Sequence, residues 1–79
     1  MRLNLAGARE TTVMADDCFV DVARANFRRT PGGVILGTVG RGQGFHTYDQ
    51  LDDWYRGDLW GGERGVWMHW SVLGPPCGD

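Results

Sequence analysis

The sequence has no lysine; all eight of its basic residues are arginine. That uniformity reads as a compositional bias and marks no site. It also has little net charge, −2 over 79 residues, which excludes binding to nucleic acid by charge alone. No apolar run reaches the roughly 18 residues of a membrane-spanning helix, so no membrane insertion is expected. The opening, "MRLNLAGARETTVMADD", lacks the apolar core of about 7 to 15 residues that a secretory signal needs. Met14-Ala15 is a candidate second start, which would make residues 1–13 a leader. No 11-residue stretch holds a helical period, so long helices are not expected. Only two cysteines occur, Cys18 and Cys77, and neither is in a CxxC pair. Two are too few for a zinc site built from cysteine alone.

What is present is the composition of a single folded domain. A chain this short buries only about 60–65% of its unfolded surface and needs a disulfide, a metal or a partner to be stable. Cys18 and Cys77 bracket the region that reads as folded. Bridged, they would close a loop of about 60 residues, worth roughly 4 kcal/mol in the chain-entropy model. The alternative is two buried free thiols. The bridge is the favoured reading, and with it an oxidising compartment.

Thirteen glycines favour tight turns, and the pattern along the chain is of short strands between them. "CFVDVARANF", 18–27, alternates as a half-buried strand, with Cys18, Val20 and Val22 on one face. "RRTPGG" is a turn, and "VILGTVG", 34–40, a β-branched strand. "RGQG" turns, "FHTYDQ", 45–50, extends, and "LDD" turns again. "WYRGDLW", 54–60, is a strand, "GGERG" a hairpin connection and "VWMH", 66–69, a strand. "WSV" reads as a short helical turn before a last extended piece, "VLG". Five to six short antiparallel strands at this spacing imply an all-β fold, a small closed or half-open barrel. Residues 1–17 read as an N-terminal extension, either a leader or an extra strand, and residues 18–79 as the barrel domain.

The blocks along 18–77 resemble the bacterial Src-homology-3-like (SH3-like) domains, in the variant common among exported actinobacterial proteins. The resemblance starts with Cys18 and a β-branched strand. Ala25-Asn26-Phe27-Arg28 follows, leading into the proline- and glycine-bearing loop "RTPGG". It continues through "VILGTV", the Trp54-Tyr55 pair and "WMHWSVL", where Trp67, Met68, His69 and Leu73 stand at the family's positions. Gly57 departs from the pattern, since a β-branched core residue is usual there, and "GDLWGGERGV" is longer than the commonest hairpin. The resemblance implies that the first and last strands run side by side, which would bring Cys18 near Cys77. It implies a module that binds cell-wall peptide or another protein segment, or a structural unit of a larger secreted protein. Its place would be extracellular or at the cell wall. It does not imply catalysis.

Residue chemistry agrees with a non-catalytic expectation. A cysteine nucleophile needs a nearby histidine, and a bridge would consume both cysteines. His46 and His69 could meet across strands, with Asp49 or Asp58 nearby, but their spacing carries no metal signature. No metal or other cofactor is expected, and His69 reads as a structural residue holding the last turn. Phe27, Phe45, Trp54 and Met68 are the expected core. Tyr48, Trp60 and Trp70, with Trp67, are the expected lining of an aromatic groove, and Asp58 its acidic member. If the turn at 51–53 lies near Trp60, acidic and aromatic groups would converge on a patch suited to an amine-bearing peptide.

Overall fold

The computed structural model describes residues 16–78; of the expected N-terminal extension at 1–17, leader or extra strand, residues 1–15 lie outside the described residues, and Asp16 and Asp17 belong to the same strand as Cys18. Six antiparallel strands form one sheet: β1 (Asp16–Phe19), β2 (Arg24–Arg28), β3 (Ile35–Gly40), β4 (Gly44–Leu51), β5 (Trp54–Leu59) and β6 (Val66–His69). A single 3-10 turn, Trp70–Val72, follows β6. The strand order is β1-β4-β5-β6-β2-β3. The sheet is all-β as expected, but it is not closed. β1 pairs only with β4 and β3 only with β2, leaving two edges among the described residues.

The expected strand at 18–27 is two strands. The chain leaves the β4 edge after Phe19 and rejoins the sheet on the far side of β6 at Arg24. Val20 is the crossing point. Its N–H donates to Gln43 O (3.0 Å) and its carbonyl accepts from Gly42 N–H (2.8 Å). It also forms an isolated antiparallel bridge with Leu73. The bend resets the side-chain parity: Cys18 and Val20 point inward before it, Ala25 and Phe27 after it.

One face of the sheet carries the core. Cross-strand partners place Cys18, Phe45 and Leu59 in one row. Thr47, Gly57 and Val66 form the next, and Tyr55 and Met68 a third. All of these are buried, with Ala25, Phe27, Val20 and Leu73 completing the cluster. Thr47 is the one buried polar side chain of the described residues, and its hydroxyl donates to Asp16 O at 2.9 Å, satisfying it.

Trp54 is not part of this core. Successive side chains of a strand point to opposite faces, and β5 buries Tyr55, Gly57 and Leu59. Trp54 therefore lies on the outer face, half-buried beside Arg28 and His69. Tyr55 is the buried aromatic of the pair.

There is a steric reason for glycine at position 57. A Cβ there would collide with the β4 backbone at His46 O and Thr47 Cα. β4 carries a bulge directly beside this contact: Thr47 opposes Gly57 and Asp49 opposes Arg56, so Tyr48 is the extra residue. The bulge turns Tyr48 toward Asp58.

Cys18 and Cys77 form a disulfide, with Cα atoms 6.0 Å apart. The C-terminal segment is clamped to the first strand by hydrogen bonds as well. Asp21 N–H donates to Val72 O (2.9 Å) and Gly74 N–H to Phe19 O (2.9 Å). Both ends of the described chain are thus tied at one place. Structural disulfides belong to oxidising environments.

Candidate functional site

The five expected groove residues fall into three places. Tyr48, Asp58 and Trp67 lie on the outer face of β4, β5 and β6. Trp60 follows β5, where its N–H donates to Gly44 O (2.9 Å). Trp70 opens the 3-10 turn, where its N–H donates to Asp53 O (3.0 Å). Gly44 begins β4 and Asp53 precedes β5, so Trp60 and Trp70 stand at opposite ends of β5. At about 3.3 Å per residue, the seven steps from Asp53 to Trp60 span roughly 23 Å. One groove does not hold both indoles.

Tyr48 and Asp58 form a clamp. Asp58 Oδ1 accepts from the Tyr48 hydroxyl (3.0 Å) and from Gly65 N–H (2.9 Å), and Arg64 Nε stands 3.6 Å from Oδ2. The Arg56 guanidinium lies 6.0 Å from the centre of the Tyr48 ring. Asp58 is therefore committed to holding the 60–65 loop, whose last residue, Gly65, takes φ +68°. Desolvation pushes its carboxyl upward, but the Gly65 N–H, the Tyr48 hydroxyl and the charges of Arg64 and His46 outweigh it. The net effect holds Asp58 below the usual carboxylate range. Desolvation, together with donation to Asp58, raises the Tyr48 hydroxyl.

The sign for stability follows. A carboxyl whose pKa is lowered by folding stabilises the fold above its unfolded value, near 3.9. That contribution is lost as pH falls through the lower, folded value. Asp58→Asn keeps an oxygen for Tyr48 and Gly65 and removes the charge. Thermal melts between pH 7 and pH 2 should show a lower melting temperature at neutral pH for the variant and a shallower decline in acid. Parallel curves for the two proteins would show that the charge does not contribute.

The histidines do not meet. His46 opposes Asp58 and His69 opposes Trp54, at opposite ends of β5. His46 Nδ1 is 2.7 Å from Asp17 Oδ1. His69 caps the 3-10 turn: its Nδ1 accepts from Ser71 N–H (3.2 Å) and lies 2.8 Å from Ser71 Oγ.

Two exposed aromatic sites remain. At one end, Trp60 is 52% exposed and stacks edge-on against Phe19, itself 43% exposed, with ring centres 5.1 Å apart. At the other end, Trp70 is 40% exposed and lies against the His69 ring at 5.8 Å. It borders a cleft of about 230 Å³ lined by Gln50, Asp52, Asp53, Trp70, Cys77 and Gly78. The turn at 51–53 thus sits beside Trp70, and the condition of its lying near Trp60 is not met. The β4–β5 turn forms one wall, with Asp52 in the left-handed region at φ 54°. Gln50 Nε2 donates to Asp52 O (3.2 Å) and steadies that turn. The disulfide-bonded segment at Cys77 forms the opposite wall.

This volume falls below the roughly 300–1,000 Å³ of a small-molecule pocket. It suits one side chain or terminal group of a longer ligand. Two carboxylates and an indole can receive an ammonium group, by charge and by the ring face. No family model, curated protein or solved structure matches the chain at a significant level.

Proposed function

We propose that this chain is a non-catalytic, SH3-like binding module acting outside the cell or at the cell wall. It recognises an amine-bearing peptide, with cell-wall peptide as the leading ligand. The observation that carries this reading is the convergence of Trp70, Asp52 and Asp53 on one cleft. The antiparallel bridge between Val20 and Leu73 supports the SH3-like part, because that family's first and last strands run side by side. The disulfide supports an oxidising location. Both cysteines are held in it, which leaves no thiol for nucleophilic chemistry among the described residues.

Retention on purified peptidoglycan tests this reading. The wild type should be retained, Trp60→Ala should be retained equally, and Trp70→Ala should lose about 2 kcal/mol or more of affinity, as an aromatic anchor does. Loss with Trp60→Ala alone would move the site to the Phe19–Trp60 pair. No retention of the wild type favours the second reading, a secreted inhibitor or effector that docks on a partner protein. The exposed edge-on pair of Phe19 and Trp60 is the feature that supports it. Release of soluble muropeptide by the wild type would overturn the non-catalytic assignment.

A further inference from the structure

A second cleft, of about 160 Å³, lies on the outer face between β2, β5 and β6, and its polar lining comes from Arg24, Asn26, Arg28 and His69. Trp54 and Val72 supply apolar wall. We propose that this cleft is a carboxylate-binding site, taking the C-terminal or side-chain carboxylate of a peptide.

Its polar groups offer donors to the cleft. Asn26 Oδ1 accepts from the Thr38 hydroxyl (3.1 Å), and the amide's NH₂ is left as a donor pair. His69 Nδ1 accepts from Ser71 N–H, which places the proton of the neutral ring on Nε2 as a donor. Arg24 and Arg28 are donors only. Arg28 is held in place: Nη1 donates to Gly33 O (2.8 Å), and the guanidinium carbon lies 5.9 Å from the centre of the Trp54 ring. A guanidinium fixed this way loses little freedom when it binds, and its planar fork matches a carboxylate. No acidic side chain is among the lining residues. In a chain of net charge −2, two guanidinium groups in a cleft without a carboxylate run against the overall balance.

The site does not depend on the amine cleft. The two clefts share no lining residue and lie on either side of the His69–Trp70 contact. A ligand bearing both an amine and a carboxylate could engage both.

The test is a ¹H–¹⁵N NMR titration of the oxidised full chain with N-acetyl-alanyl-alanine, which has a carboxylate and no amine. Its C-terminal amide and inorganic phosphate serve as controls at matched ionic strength. Saturable shifts are expected at Trp54 Nε1–H, Arg28 Nε–H and the Asn26 NH₂. The apparent affinity should fall about tenfold or more for the amide and for phosphate. Arg28→Gln should weaken binding to the same extent, with its backbone spectrum confirming the fold. Arg24→Gln, at an exposed position, should weaken it without any risk to folding. Asp53→Asn should leave it unchanged, which separates this site from the amine cleft. Equal responses to the carboxylate and the amide, equal or stronger binding of phosphate, an unaffected Arg24→Gln, or no saturable shift at millimolar ligand would each overturn the proposal.

Discussion

Reducing the Cys18–Cys77 bridge should lower the melting temperature by well over ten degrees. The two cysteines are 59 residues apart, and closing a loop of that length is worth about 4 kcal/mol in the chain-entropy model. Domains of this size lose about 4–8 °C per kcal/mol. The bridge has an outsized role here because the sheet is open. Among the described residues, hydrogen bonds do not join β1 to β3; backbone hydrogen bonds hold the first strand to β4 and to the C-terminal segment, next to the Val20 bridge. The disulfide ties that segment covalently to β1. Both cysteines are buried, so reduction also leaves two thiols within the core cluster. Melts with and without reductant, and of a Cys18→Ala/Cys77→Ala variant, provide the measurement. A drop of only a few degrees would show that the sheet and core suffice alone. The bridge also walls the Trp70 cleft, so the reduced protein should lose ligand before it loses its strands.

Tyr55→Ala and Trp54→Ala should behave very differently although the residues are neighbours. Tyr55 is 8% exposed, opposes Met68 on β6 and belongs to the core cluster. Removing a buried aromatic ring costs about 3–5 kcal/mol. For a domain with total stability on the order of 5–15 kcal/mol, that approaches complete loss of the fold. Trp54, although larger, sits on the outer face and touches Arg28 and His69. Its removal should cost about 1–2 kcal/mol, in the ordinary range for a half-buried side chain. Chemical denaturation of both variants would decide the matter. A reversed order would mean that the side-chain parity of β5 is opposite to that described.

The strand pattern was legible because glycine-rich turns separate short β-branched and aromatic runs. "VWMH" and "WSV" appear as β6 and the 3-10 turn at the expected residues. Two features escaped, each for a physical reason. The single expected strand at 18–27 carried an internal conflict: alternation that faces Cys18 and Val20 inward faces Phe27 outward. The bend at 20–23 resolves it, and requiring Phe27 in the core would have revealed the bend. The parity of β5 could not be decided from composition, since Trp54 and Tyr55 are both large aromatics. Gly57 held the missing signal. A glycine in a strand marks a close backbone approach, and Gly57 shares its face with Tyr55.

The candidate site was legible by residue type and not by place. The sequence holds the tryptophans and aspartates that line the proposed cleft, but which tryptophan meets the 51–53 turn depends on pairing between distant segments. Trp70 reaches that turn only because β6 runs alongside β5 and carries it back to Asp53. Asp58, which looked like part of a binding patch, is engaged by the loop that follows it. The cleft lined by Arg24, Asn26 and Arg28 had no sequence signal, because β2 joins β5 only through β6.

The most direct measurement of the central claim is calorimetric titration of the oxidised protein with a cell-wall stem peptide bearing a free side-chain amine, and with the same peptide acetylated at that amine. The expected result is saturable binding of the free amine and binding at least about tenfold weaker for the acetylated peptide. An Asp52→Asn/Asp53→Asn variant should no longer distinguish the two. Equal affinity for both peptides in the wild type, or undiminished discrimination in the variant, would contradict recognition of an amine at the Trp70 cleft.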